Sequence, residues 1–134
     1  MLDIFLSISV LLYFIFILFI ISGLFKHTII NSSIKTNLPN VSVVVAARNE
    51  QENLPDLLTD FINQNYPKDK IEFIIVDDRS TDKTPEILKE ITKKHKFIKQ
   101  IKLTKKSPHM APKKHALNEG IKNSTGEIII STDA

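Results

Sequence analysis

A chain of 134 residues, 43% hydrophobic and 25% charged, has room for one small domain, which excludes a complete large enzyme. It contains no cysteine, which excludes a disulfide scaffold, a thiolate metal site and a cysteine nucleophile; the four histidines, His27, His95, His109 and His115, form no i,i+4 pair for a helical zinc motif. The net charge of +3 rests on 16 Lys and only 2 Arg, with few aromatics beyond the N-terminal stretch, so it reads as a solvated lysine-rich surface and no nucleic-acid partner is expected.

The apolar residues are segregated. About 20 of the first 25 residues are apolar, against about 35% of the rest. Ile4 to Phe25 carries no charge, and about 22 residues at 1.5 Å rise reach roughly 33 Å, the thickness of a bilayer core. The segment is therefore expected to span a membrane, making residues 1–27 an anchor. A cleaved signal peptide fits less well, because the run is long, no basic stretch precedes it and no small-x-small cleavage site follows. Asp3 lies before the segment and Lys26, His27 and Lys35 after it, so the positive-inside bias places the C-terminal part in the cytoplasm. Residues 28–40 are polar and turn-rich and read as a linker.

Beyond it strands and helices alternate. Val41 to Ala46 is a β-branched run suited to a strand covered on both faces. Glu50 to Asn63 places Leu54, Leu57, Leu58, Phe61 and Ile62 on one helical face, with Pro55 in the first turn. A second strand is expected at Ile71 to Val76. A helix then opens with Thr84 as cap and Pro85 at its first position, running to about Lys94. Phe97 to Leu103 reads as a third strand, residues 113–123 as a helix ending before Gly126, and Glu127 to Ser131 as a fourth strand. Such alternation implies an α/β fold, with a mostly parallel sheet, helices on both faces and ligands beyond the carboxyl ends of the strands.

Those ends are acidic. The three glycines, Gly23, Gly120 and Gly126, provide neither a dinucleotide fingerprint nor a P-loop after the first strand. Asp77, Asp78 and Asp133 follow strands instead, with Glu50 nearby. Carboxylates converging on one crevice repel each other and a phosphorylated ligand unless a divalent cation neutralises both, which suits a metal-bound nucleoside diphosphate. Any one of these acids alone could equally be a turn former or helix cap.

The segments VSVVVAARNEQENL (41–54), IIVDDRSTDKT (74–84), KKHALNEG (113–120) and GEIIISTDA (126–134) resemble, in order, the motifs of family 2 glycosyltransferases of the GT-A fold. The resemblance implies a membrane-anchored enzyme that transfers a sugar from a nucleotide-sugar donor to a glycan or lipid acceptor. Ala46, Arg48 and Glu50 would line the donor pocket, Asp77 and Asp78 match the acidic pair that contacts base and ribose, and Lys113 would approach the diphosphate. Asp133 matches the first acid of the Asp-x-Asp motif that holds Mg2+ or Mn2+ on the donor. Three positions depart from the family: Arg79 stands where glycine often follows the acidic pair, Lys83 replaces another glycine in that loop, and Pro112 stands where glycine usually precedes the lysine. The sequence ends where the second acid is expected, so this reads as the amino-terminal, donor-binding half, with the catalytic base expected downstream of Ala134 and the half inactive alone. A membrane-tethered nucleotide-binding or interaction module without turnover, and transfer to a polyprenyl phosphate, are the alternatives. From Lys89 to Lys106 eight lysines form either an exposed solvated face or a contact for anionic lipid headgroups.

Overall fold

The computed structural model describes residues 2–24 and 38–133, which form two separate compact units. The first is a single helix, α1 (Leu2–Leu24), long and apolar enough to cross a membrane by length and composition. Its serines need no outside partner. Ser7 Oγ donates to the Asp3 carbonyl at 2.8 Å, Ser9 Oγ to Phe5 at 3.0 Å and Ser22 Oγ to Phe19 at 2.9 Å, so each hydroxyl is satisfied by the helix itself. Phe25 and most of the expected linker lie outside the described residues. Its last three residues are tied to the second unit: Tyr66 Oη donates to the Pro39 carbonyl, Lys70 Nζ to that of Leu38, and the Asn40 N–H donates to Glu127.

The second unit runs β1 (Val41–Ala47), α2 (Leu54–Asn63), β2 (Ile71–Asp78), α3 (Thr84–Lys94), β3 (Ile98–Leu103), α4 (Pro112–Lys122) and β4 (Ile128–Asp133). All strand pairs are parallel, in the order β3-β2-β1-β4, as the alternation implied. On one face Val41, Val43 and Val45 of β1 and Phe73 and Ile75 of β2 pack against Leu54, Leu58 and Phe61 of α2 and Leu88 of α3, with Phe61 and Phe73 stacked 4.1 Å apart. On the other, Val44, Ile74 and Val76 meet Ala116 of α4. Here Gly120 decides how close α4 comes, since a Cβ at that position would lie 2.3 Å from Val44 Cγ1. The four strands and three helices thus fall where periodicity placed them, with helices on both faces.

Several boundaries and caps differ, among them the end of β4, expected at Ser131 and found at Asp133. The helix expected from Glu50 begins at Leu54, because residues 50–53 form a turn whose N–H groups bond across to the loop after β2. Thr84 does not cap α3 with its side chain. Its buried hydroxyl accepts the Glu50 N–H at 2.9 Å, while Asp82 Oδ1 accepts the Thr84 N–H at 3.0 Å. Finally, β2 extends through Asp77 and Asp78, which pair with Ala47, Lys102 and Leu103, so the acidic pair ends the strand instead of following it.

At the amino ends of the strands, Glu72 of β2 is buried at 8% exposure. It accepts from Ser42 Oγ, from the Thr125 N–H and hydroxyl, and from Lys99 Nζ at 2.6 Å. Burial alone would raise its pKa, but these donors together hold it down, at about 2.

Candidate functional site

The loops leaving β1 and β2 are fastened to each other. The Asn49 N–H donates to Ser80 Oγ at 3.0 Å and the Gln51 N–H to Asp82 Oδ2 at 3.1 Å; in return Asn49 Oδ1 accepts the Thr81 N–H and Gln51 Oε1 the Lys83 N–H. Both loops turn through the left-handed region, at Asn49 (φ 57°) and Arg79 (φ 58°). Asparagine tolerates that backbone, whereas an arginine there takes the conformation that glycine adopts without strain, so it carries a steric cost of about 1 kcal/mol. Lys83, the second departure, sits at φ −81° and Pro112 at the first turn of α4, so neither position needs glycine.

Arg79 uses that backbone to fold its guanidinium onto the preceding residue. Its Nε donates to Asp78 Oδ1 at 2.8 Å and its Nη2 to Asp78 Oδ2 at 3.0 Å, a bidentate pair on a carboxylate that is 4% exposed. This hydrogen bonding holds the Asp78 carboxyl below the usual carboxylate range against the opposing effect of burial, and the charges of Arg79, Arg48 and His115 add to it. Asp78 is therefore a fixed, ionised acceptor.

A cavity of about 320 Å³ lies beside it, large enough for a small ligand. Ala46, Arg48, Glu50, Asp78, Lys113 and Asp133 all line it, brought together from the ends of β1, β2 and β4 and the start of α4. Register explains the convergence: Ala46 pairs with Asp133 across one side of β1 and with Val76 across the other. The first turn of α4 adds N–H groups with no intrahelical acceptor and the positive end of the helix dipole. Asp77 is placed elsewhere. Successive strand residues face opposite sides, so its side chain turns to the α2 and α3 face, fully buried, with Oδ1 accepting the Ser80 N–H at 2.9 Å and Oδ2 without a partner. Pro112 and Ala47 also line the cavity. The Asp78–Arg79 pair was not foreseen, although adjacent acid and guanidine at a strand end were a visible cue.

Asp133 is 74% exposed along its side chain, and Oδ1 takes Lys113 Nζ at 2.7 Å. Among the described residues no three His, Asp or Glu converge to cage a metal ion. A hard cation bound by one carboxylate plus substrate phosphate oxygens needs no such cage, and the exposed oxygens of Asp133 fit that mode.

A parallel sheet with an open cavity at its carboxyl ends and helices on both faces is the architecture of the GT-A class. The chain belongs to glycosyl transferase family 2, whose model matches residues 42–134. It is 40% identical over 97 residues to the probable glycosyltransferase YdaM of Bacillus subtilis (strain 168), covering 72% of this chain and 23% of that protein. It is 39% identical over 101 residues to the beta-monoglucosyldiacylglycerol synthase of Nostoc sp. (strain PCC 7120), covering 75% of this chain and 21% of that one. The mannosyltransferase PcManGT from Pyrobaculum calidifontis, solved with GDP-Man and Mn2+, superposes with a TM-score of 0.62 at 33% identity over 73% of this chain and 28% of its own. The chain thus spans between about a seventh and a third of the length of the curated relatives it matches.

Proposed function

We propose that the cavity at the ends of β1, β2 and β4 holds the nucleoside diphosphate of a sugar nucleotide, donor for sugar transfer to a lipid or glycan acceptor at a membrane. The observation that carries this reading is the polarity of the cavity: a fixed carboxylate, Asp78, on the β2 side, and Lys113 with the α4 N-terminus on the other. A carboxylate accepts hydrogen bonds from a base or ribose, while an ammonium beside a helix N-terminus attracts a diphosphate. Arg48 adds a second cation, and Ala46 leaves room where a larger side chain would fill the wall. Asp77, turned to the other face, supports Ser80 and the loop that carries Arg79, and acts on the donor only through them.

A divalent cation, held by Asp133 and the phosphate oxygens, would neutralise charge on the leaving diphosphate. With a donor bound, Lys113 would turn from Asp133 towards phosphate, which would leave the Asp133 carboxylate free to hold the cation. Both groups are exposed, so separating them costs little. The membrane part of the reading rests on the length and apolarity of α1, its self-satisfied serines and the basic residues that follow it, which orient the second unit to the cytoplasm. A relative whose name gives a diacylglycerol glycolipid as its product is consistent with an acceptor at the bilayer.

Calorimetric titration of the detergent-held chain with uridine diphosphate and guanosine diphosphate tests the site. One of them should bind, and Lys113→Ala should weaken it about tenfold, the effect expected for losing one charge-assisted contact to phosphate. Failure of both nucleotides to bind a folded chain would overturn the assignment.

A further inference from the structure

The charge of this protein is unevenly placed. Residues 89–106 contain eight lysines and one acid, Glu90, a net +7 in a chain whose total is +3, so all the other residues together carry −4. In the fold this segment is one continuous piece: the second half of α3, the turn after it, the edge strand β3 and the following loop. Lys89, Lys93, Lys94, Lys96, Lys99, Lys102, Lys105 and Lys106 are all exposed; Lys99 and Lys102 lie on the edge strand, which spans about 20 Å at 3.3 Å per residue, and the other six on α3, the turn after it or the loop that follows β3. Among the described residues Lys99 forms an ion pair, with the buried Glu72.

Lysines on an edge strand also discourage strand pairing between molecules. Lys99 and Lys102 suffice for that role, and it leaves the six lysines that lie off the strand without an account. Two classes of polyanion could meet them. A nucleic acid would be served by arginines and stacking aromatics, but the segment holds no arginine, and its aromatic Phe97 is packed against Phe73 and under Lys68 Nζ at 5.1 Å. An anionic bilayer asks only for clustered cations held near its surface. The second condition follows from the reading of α1 as a membrane span, because the same chain then tethers the second unit to the bilayer.

We infer that the lysine-lined β3 edge, with the outer end of α3, is a docking surface for anionic lipid headgroups. The inference rests on the reading of α1 as a membrane span. Docking holds the donor cavity at a fixed height over the bilayer where its acceptor is proposed to lie.

The test uses the full chain in nanodiscs of phosphatidylcholine alone or with about one third phosphatidylglycerol, and measures the acetylation rate of each lysine by mass spectrometry. In anionic discs Lys93, Lys94, Lys96, Lys102 and Lys105 should react several-fold more slowly than in neutral discs, while Lys83 and Lys122 keep their rates. Protection should disappear in about 0.5 M salt, where screening shortens to a few ångströms. The triple variant K93E/K94E/K96E should lose the protection of Lys102 and Lys105 while still entering the discs. Equal rates in the two disc types would overturn the inference. So would equal protection by inorganic phosphate in neutral discs, which would make the surface a small-anion site, or protection by a single-stranded oligonucleotide alone. A chain that does not enter neutral discs refutes the membrane span instead, and the two failures are distinguishable.

Discussion

Asp78→Ala is expected to weaken nucleoside diphosphate binding by about 10- to 100-fold, the range for removing a buried charged acceptor from a ligand hydrogen bond. The substitution also frees the Arg79 guanidinium, so Asp78→Asn, which preserves volume, belongs beside it; circular dichroism establishes that both variants are folded. Arg79→Gly separates the carboxylate from its orientation. The glycine accepts the left-handed backbone at φ 58° without strain, but Asp78 loses both hydrogen bonds and the adjacent positive charge. Because Arg79 holds the Asp78 carboxyl below its ordinary range, the carboxylate persists into acid in the parent chain. Without Arg79 it protonates at higher pH, so the acid-side loss of nucleotide affinity should move upward. Calorimetry across mildly acidic pH checks this, and an unchanged pH profile in Arg79→Gly would show that Arg79 does not set the charge on Asp78.

Glu72→Gln is expected to cost about 3 kcal/mol of stability at neutral pH. The carboxyl is held at about 2 against a reference of 4.5, and each unit of such a shift corresponds to about 1.4 kcal/mol of linked stability. The sign follows from the depressed folded value. The contribution is complete above the unfolded value and is lost as pH falls from about 4.5 towards about 2. Urea unfolding followed by circular dichroism in mild detergent should show parent and variant well separated at pH 7 and converging near pH 2 to 3. Parallel curves with a constant offset would mean that shape, and not the charge, makes Glu72 important.

These two acids also mark where the sequence was and was not legible. The strands could be read because Val41 to Ala46 and Ile71 to Val76 are dense in β-branched residues, and the helices because Leu54, Leu58 and Phe61 recur at helical spacing. The convergence of Ala46, Arg48, Glu50, Asp78, Lys113 and Asp133 followed from strand-end logic and from the family resemblance together. The division of labour between Asp77 and Asp78 was half visible. Alternation assigns them to opposite faces, but which face holds the cavity depends on where α4 packs, which no local pattern states. The role of Glu72 was not legible in the sequence, because its partners, Ser42, Lys99 and Thr125, lie 27 to 53 residues away. The start of α2 was missed for a related reason: Pro55 and the apolar spacing fit a helix from Glu50, yet the cross-loop hydrogen bonds to residues 80–84 claim that first turn.

The cavity as a cation-assisted diphosphate site is tested most directly by one titration. The nucleoside diphosphate that binds the parent chain is titrated with and without Mn2+, against the parent and against Asp133→Ala. The expected result is tighter binding with Mn2+ in the parent, loss of that increment in Asp133→Ala, and unchanged affinity without metal in both apart from a small gain where Lys113 is released from its ion pair. An Mn2+ increment that survives intact in Asp133→Ala, or its absence from the parent, would contradict the account.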